Sequence, residues 1–197
     1  PINSMPFYEE ISHIPLMIFH PNFNAKSGTR RKSLTQTIDL MPTILDFNNV
    51  KVPENVEGKS LFPVMENDKI IRDGALFGRF GAATNITDGR YSFFRYPKNL
   101  KNEKLWEYTL MPTHQTSMFD KEEFDDATLS NSFAFLRGFP VLKLPAGRSK
   151  VKGQGAKIED VNTVLFDLHN DPKQNNPIID NDIETQLIEL MKKMMLQ

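Results

Sequence analysis

The side chains that could do chemistry in this sequence are a few histidines, arginines and acidic residues. Tyr8 is followed by Glu9 and Glu10, and paired carboxylates can divide the roles of acid and base when their pKa values separate. Neighbouring residues point in different directions on a helix or a strand, so this pair is better suited to local capping and pairing. Tyr8 remains a candidate substrate contact.

Histidines and arginines supply the other candidates. His13 and His20 would lie more than about 20 Å apart on one extended strand, at ~3.3 Å per residue, so they cannot share a metal ion. His114 stands between a strand-like segment and a long loop, and it is the first candidate for a substrate pocket. Arg79, between a glycine and a phenylalanine, is a candidate anion contact, and the arginine pair at 30–31 is another. No Asp or His group has the spacing of a metal site.

A short helix and the loop after it, between residues 34 and 65, organise the rest of the chain. Asp39 is a suitable N-cap, and Pro42 then falls in the first turn, where its missing N–H costs little. Apolar residues at helical spacing predict a helix over residues 40–47 that is covered on more than one side. Before it, the apolar run after Pro15 predicts a strand over residues 14–20 that is buried in a parallel sheet.

The second half of the chain reads mainly as an antiparallel sheet of about four strands, closed by a terminal helix. Asp88 and Gly89 are the strongest hairpin signal. A polar stretch at residues 66–73 indicates a boundary, residues 111–160 read as a long loop, and a short helix is expected near residues 121–129. A strand-like segment runs from 75–80 through a turn to 84–87 and is followed by a strand at 90–96, a third at 106–110 and a fourth at 163–168. The predicted terminal helix is 182–195.

Composition excludes several functions. The chain has 197 residues, of which 39% are hydrophobic and 25% charged, as in ordinary globular proteins. A net charge of −1 gives no overall electrostatic attraction to nucleic acid or to an anionic membrane. No apolar run approaches the ~20 residues that span a bilayer, so we expect a soluble protein, with a cytoplasmic location favoured. The absence of cysteine excludes disulfides, thiolate metal sites and cysteine nucleophiles in this chain.

Four pieces of sequence, in order along the chain, carry a family resemblance. They are Phe-Tyr-Glu-Glu-Ile with His-Ile-Pro-Leu, Thr-Ile-Asp-Leu-Met-Pro-Thr-Ile-Leu-Asp with Glu-Gly-Lys-Ser-Leu, Asp-Gly-Arg-Tyr, and Leu-Phe-Asp-Leu followed by Asp-Pro. Together they closely resemble the later part of sulfatases of the alkaline phosphatase superfamily. In that family a lysine shortly before the tyrosine helps to bind sulfate, whereas residues 2–4 here are Ile, Asn and Ser.

The resemblance implies an α/β fold that is part of a larger enzyme. Residues 1–70 would end the catalytic domain, with a late strand and helix of its central sheet, and residues 71–197 would form a C-terminal α+β subdomain. The family's nucleophile motif, Cys/Ser-x-Pro-x-Arg, is absent, as expected for a C-terminal portion. The parent would carry a divalent cation, calcium or magnesium, and in some cases a formylglycine nucleophile. This chain alone would be inactive.

Two other functions remain open. A phosphonate or phosphate ester hydrolase of the same superfamily could use the same scaffold, and a non-enzymatic binding or assembly module would also lack a nucleophile. In the enzyme interpretation the partner of the parent is a small sulfate ester. If residues 14–20 lack their neighbouring strands, their apolar surface is exposed, and we expect this chain to form a homo-oligomer through it.

Overall fold

The structure is a computed structural model, and it describes residues 8–26, 28–78, 84–96, 106–111, 113, 117–145 and 162–195. These residues fall into two compact units. The four-stranded unit holds the described residues from 8 to 78, 84 to 95 and 162 to 195, and the three-stranded unit holds the others. This division differs from the predicted boundary at residue 70, which would separate two domains of a larger protein and stays a prediction.

The described residues form helices and strands joined by short 3-10 turns. The helices are α1 (Glu9–Ser12), α2 (Leu40–Phe47), α3 (Phe62–Asn67) and α4 (Asn181–Met195). The strands are β1 (Ala75–Gly78), β2 (Thr84–Thr87), β3 (Tyr91–Arg95), β4 (Trp106–Thr109), β5 (Thr128–Ser130), β6 (Val141–Pro145) and β7 (Val164–Asp167). None of these helices combines the length and apolar character that crossing a membrane requires.

The four-stranded sheet has the order β1-β2-β3-β7, and every neighbouring pair is antiparallel. The hairpin between β2 and β3 turns at Asp88 and Gly89, as predicted. The Asp88 carboxylate accepts the backbone N–H groups of Arg90 (2.8 Å) and Tyr91 (2.7 Å). Gly89 has a φ of 93°, a conformation that side chains with a Cβ seldom adopt. The predicted four-stranded antiparallel sheet is therefore confirmed.

Helix α4 covers one face of this sheet and forms the core with it. Each strand places one residue in the same cross-strand row, namely Leu76, Ile86, Phe93 and Leu165. Buried Leu187 and Met191 of α4 pack against this row, with further α4 residues at helical spacing at the margin. The predicted terminal helix and its apolar stripe are thus confirmed. The interface forms because apolar residues three or four positions apart share one face of α4, and alternate residues of each strand share the face of the sheet that packs against it.

The three-stranded sheet has the order β4-β6-β5 and is antiparallel. Two sequence expectations are wrong here. The predicted strand at 106–110 does form as β4, but it pairs with β6 rather than joining the first sheet. The predicted helix near 121–129 is a 3-10 turn over Lys121–Phe124 followed by β5. The first error arises because β6, the partner of β4, lies far along the chain, where local patterns carry no signal.

The predicted strand over residues 14–20 is wrong as secondary structure. Among the described residues this segment is assigned to no strand and pairs with none. Its apolar side chains are open to solvent, with Met17 at 90% and Phe19 at 75% exposure. A segment with no neighbouring strand cannot form ladder hydrogen bonds, so an apolar run alone does not make it a strand.

Helix α2 has the predicted bounds, residues 40–47, but its apolar side chains are not covered as expected. Leu40, Met41, Ile44 and Phe47 are 40–62% exposed. The buried positions are Pro42 and Thr43 instead. With residues 14–20, α2 therefore leaves apolar surface uncovered in the four-stranded unit.

Candidate functional site

Asp39 is fully buried, and both of its carboxylate oxygens have partners. Oδ2 accepts the backbone N–H of Gln36 at 2.7 Å, and Oδ1 accepts that of Lys59 at 2.9 Å. Oδ1 also pairs with the guanidinium of Arg72. The side chain makes no N-cap hydrogen bond to α2, so the predicted capping role is wrong. Asp39 is instead the centre of a buried ion pair that joins three segments.

Arg72 extends this network to the sheet. Its Nη1 donates to Gln36 Oε1 at 2.6 Å, and Gln36 Nε2 donates to the carbonyl of Leu76 in β1 at 2.7 Å. The arginine is itself 9% exposed. Arg72 was not predicted as a functional residue because it lies in the polar stretch interpreted as a boundary, and its partner Asp39 is 33 residues away.

The loop before α3 packs closely against the start of α2. Thr43 Oγ1 donates to the carbonyl of Asp39 and accepts the N–H of Leu61 at 2.9 Å. Gly58 lies so close to Ile38 that an added Cβ would overlap the Ile38 carbonyl group. Only glycine fits such a close backbone approach. The carboxylate of Asp39 and the hydroxyl of Thr43 have partners within the chain, so these two groups act as a structural frame. Arg72 Nε is buried in the same network without a hydrogen-bond partner among the described residues.

Tyr8 lies against the second face of the four-stranded sheet. Its ring centroid is 5.6 Å from that of Phe94 and 6.0 Å from that of Phe166. Next to it, Glu9 pairs with His13 at 2.8 Å, which is the expected local pairing. The substrate role of Tyr8 stays a prediction. His114 and Arg79, the other candidate substrate contacts, lie outside the described residues.

Two further candidates from the sequence have structural partners. The ring of His20 lies 4.1 Å from that of Phe47, edge to face, and its Nδ1 accepts the N–H of Asn22 at 3.2 Å. Arg31 donates to the carbonyl of Met65 at 2.6 Å, at the end of α3. Within the described parts of the chain, no group of three or more His, Asp or Glu side chains is placed to hold a metal ion. The divalent cation that the resemblance implies belongs to the parent protein and stays a prediction.

Asp68, just after α3, anchors the basic loop that precedes α2. It adopts a left-handed conformation with a φ of 52°. Its carboxylate accepts the N–H groups of Lys32 and Ser33 at 3.0 Å. The N–H of Ser33, followed by that of Lys32, holds the pKa of the Asp68 carboxyl below its ordinary value, against a smaller opposing effect of burial. The group therefore stays ionised and keeps the loop in place.

An open depression beside β7 is the candidate ligand contact among the described residues. It is lined by Gly89, Arg90, Leu168 and His169. Beneath it, Asp167 accepts the N–H of His169 at 3.0 Å and pairs with the Arg90 guanidinium at 3.3 Å. Burial alone would raise the pKa of Asp167, but these hydrogen bonds outweigh it and lower the pKa overall.

The depression combines a fixed carboxylate with an arginine that remains 59% exposed. Such an arginine can contact an anionic group, since a guanidinium offers several donors. Arg90 and His169 were not among the residues predicted from the sequence. Both residues could have been noticed from two of the pieces that carry the family resemblance. Arg90 is part of Asp-Gly-Arg-Tyr, and His169 directly follows Leu-Phe-Asp-Leu.

Comparisons with known proteins agree with that resemblance. The family model for N-sulphoglucosamine sulphohydrolase, C-terminal, matches residues 4–133. An N-acetylglucosamine-6-O-sulfatase of Bacteroides thetaiotaomicron is 41% identical over 61 residues, which are 31% of this chain and 11% of that protein. An arylsulfatase of Clostridium perfringens is 26% identical over 126 residues, 60% of this chain and 26% of that protein.

A solved structure is also similar, namely that of BT4656 in complex with its substrate D-glucosamine-2-N,6-O-disulfate. The alignment covers 79% of this chain and 22% of the BT4656 chain, with 16% sequence identity and a TM-score of 0.40. This chain thus spans a minor part of the length of the proteins that it matches. The family model, in contrast, matches well over half of the chain. The chain therefore belongs to the family described as N-sulphoglucosamine sulphohydrolase, C-terminal, and with it to the sulfatases of the alkaline phosphatase superfamily.

Proposed function

We propose that this chain is the C-terminal portion of a sulfatase-like hydrolase that cleaves sulfate esters. The observation that carries the proposal is the family match over residues 4–133, and the sulfatase names of the relatives support it. In this proposal the chain contributes structural support and part of the wall of the substrate pocket to the enzyme. Its buried Asp39 network holds the α2 segment and the following loop in one arrangement, so that neighbouring parts of the enzyme meet a defined surface.

The reactive groups come from other parts of the parent protein. A sulfatase needs a nucleophile derived from Cys or Ser and a divalent cation, which supplies charge stabilisation at the ester. We propose calcium or magnesium as that cation and, in the Cys or Ser motif, formylglycine as a form of the nucleophile. This chain has no cysteine, and its described residues include no metal-binding cluster.

The names of two relatives suggest the substrate class. One is an N-acetylglucosamine-6-O-sulfatase and the other an arylsulfatase. We therefore propose a small sulfate ester, in particular a sulfated amino sugar, as the substrate of the parent. Arg90, exposed above Asp167, is a residue of this chain that could meet a sulfate group. A soluble, cytoplasmic location stays a prediction from the sequence.

We expect the purified chain to show no turnover of 4-nitrophenyl sulfate above the uncatalysed background. A gene product extended upstream to include a Cys/Ser-x-Pro-x-Arg motif should hydrolyse this ester. Parallel assays with 4-nitrophenyl phosphate and a phosphonate ester test the related chemistry. Activity of this chain alone, preference of the longer protein for phosphorus esters, or a reading frame without an upstream nucleophile motif would each refute the proposal.

We also propose that this chain, when separated from the rest of the parent, pairs with a second copy through residues 14–20. Leu16, Met17, Ile18 and Phe19 are 45–90% exposed, and apolar surface of this extent favours association. Among the described residues the segment belongs to no sheet, so a second copy could supply a ladder partner.

Sedimentation equilibrium measures this association directly. We expect a dimer for the unaltered chain and a shift of at least about tenfold in the dimer dissociation constant for the double variant Leu16→Asp/Ile18→Asp, because two charges enter the contact. Ile179→Asp is the matched control, since Ile179 is 92% exposed but lies elsewhere in the sequence. The proposal is contradicted if the unaltered chain is a monomer, or if both variants shift the dimer dissociation constant equally.

A further inference from the structure

The three-stranded unit carries a surface of aromatic rings beside a single lysine. Trp106 and Tyr108 lie two residues apart on β4 and therefore point to the same face of the sheet. The strand register places Lys143 of β6 directly opposite Tyr108. Phe133 and Phe135, from the segment between β5 and β6, adjoin them. We call these five residues the aromatic–lysine surface.

The rings of this surface hold one another in fixed positions. The Tyr108 and Phe133 centroids are 5.2 Å apart with the rings at 65°, an edge-to-face contact. Phe133 and Phe135 are stacked at 5.6 Å and 16°. Both spacings lie in the range of favourable aromatic pairs, so the side chains support each other even at the surface.

These rings nevertheless remain open to solvent. Tyr108 is 41% exposed, Phe133 38% and Phe135 64%. In a buried core the neighbouring atoms would cover both faces of each ring. Fixed rings with free area form a platform that a flat, weakly polar molecule can cover.

Lys143 adds a positive charge at the edge of this platform. Its Nζ lies 4.2 Å from the centroid of Trp106 and 5.9 Å from that of Tyr108, both within the range of cation–π attraction. Among the described residues, no carboxylate forms an ion pair with it. The ammonium is therefore positioned by the rings and still able to receive an anion.

We propose that the aromatic–lysine surface binds a sulfated saccharide. One pyranose ring would cover the exposed aromatic faces with its C–H groups, and its sulfate would pair with Lys143. The saccharide class rests on the proposed function, because the parent is proposed to cleave sulfated sugars. The surface would hold a part of the substrate chain that is not being cleaved.

The lysine distinguishes this ligand from an apolar partner surface. Covering Lys143 with apolar groups would remove water from its ammonium without supplying a counter-charge, which is unfavourable. A sulfated sugar supplies both the apolar ring face and the anion. An exposed contact of this kind is weakened by salt, because solvent ions screen it.

Trp106 makes the proposal measurable, because it is the one tryptophan of the chain. The 197-residue chain is titrated with a tetrasaccharide prepared from heparin, and with the same tetrasaccharide after chemical desulfation. Trp106 fluorescence and isothermal titration calorimetry report binding. We expect saturable binding that weakens at least tenfold on desulfation and also weakens as the salt concentration rises.

Variants locate the contact on this surface. Lys143→Met keeps an apolar side chain over the rings and should weaken binding about fivefold, as expected for an exposed ion pair, while Lys143→Arg should retain it. Phe135→Ser removes the most exposed ring and should also weaken binding several-fold. Lys173→Met removes an exposed lysine of the four-stranded unit and should have no effect.

Three outcomes would overturn the proposal. They are no binding of the sulfated tetrasaccharide, equal binding after desulfation, and equal losses for Lys143→Met and Lys173→Met, which would indicate non-specific attraction of a polyanion. Far-UV circular dichroism confirms that each variant is folded. The titration needs no enzymatic turnover, so an inactive parent and a failed binding experiment are separate results.

Discussion

Replacing Arg72 with methionine should lower the free energy of unfolding by about 3–5 kcal/mol, which is the usual cost of removing one partner from a buried ion pair. Asp39 is 0% exposed, and the guanidinium is its only cationic partner in the described chain. Without it, the carboxylate retains the N–H groups of Gln36 and Lys59 but has no counter-charge. Methionine fills a similar volume, so the lost free energy of unfolding reflects the missing ion pair and the missing hydrogen bond to Gln36 rather than a cavity.

Urea unfolding followed by circular dichroism measures this effect as a shift of the midpoint at constant slope. The double variant Asp39→Asn/Arg72→Met should recover part of the loss, because it removes the uncompensated charge and keeps the shape of the acid. Lys193→Met is the matched control. It breaks an exposed pair with Asp73, 3.6 Å long, and should cost no more than about 1 kcal/mol. A cost for Arg72→Met no larger than this control would show that the buried pair does not hold the frame.

The second of the four pieces of sequence that carry the family resemblance forms part of this network. Asp39 and Thr43 come from its first run, and Lys59 and Leu61 come from its second run, Glu-Gly-Lys-Ser-Leu. In the structure, Lys59 donates to Asp39 and Leu61 donates to Thr43. The resemblance in this region is therefore explained by the packing of a loop on a helix, and it identifies the family without identifying a catalytic group.

Local signals were sufficient for several elements. The helices at 40–47 and 181–195 and the hairpin at residues 88–89 match their predictions within a residue. In each case the information lies within a few neighbouring positions, as apolar spacing or a turn glycine. The core face of α4 could be predicted for the same reason.

Partners that are distant in sequence could not be predicted. Trp106 pairs with Pro145, and Arg72 reaches Asp39, through contacts that no local pattern encodes. The segment at 14–20 has the composition of a buried strand, but strand formation requires a neighbour, and the described chain contains none for it. The candidate site by Arg90 and His169 was missed because it depends on β7 returning beside the hairpin.

Replacing Phe93 with alanine should lower the free energy of unfolding by about 3–5 kcal/mol, the range for truncating a buried phenylalanine. Phe93 is 1% exposed and lies in the cross-strand row between Ile86 and Leu165, under α4. The truncation leaves a cavity that the paired strands on both sides cannot close, because their ladder hydrogen bonds fix the backbone.

The matched control is Phe139→Ala, the same truncation at a side chain that is 68% exposed, where we expect a change within about 0.5 kcal/mol. Urea midpoints for both variants, with tyrosine and tryptophan signals recorded alongside circular dichroism, separate the two truncations. Equal shifts would mean that the interface between α4 and the sheet is not the main source of stability. The four-stranded unit would then depend on the Asp39 network, and Arg72→Met would become the more damaging of the two changes.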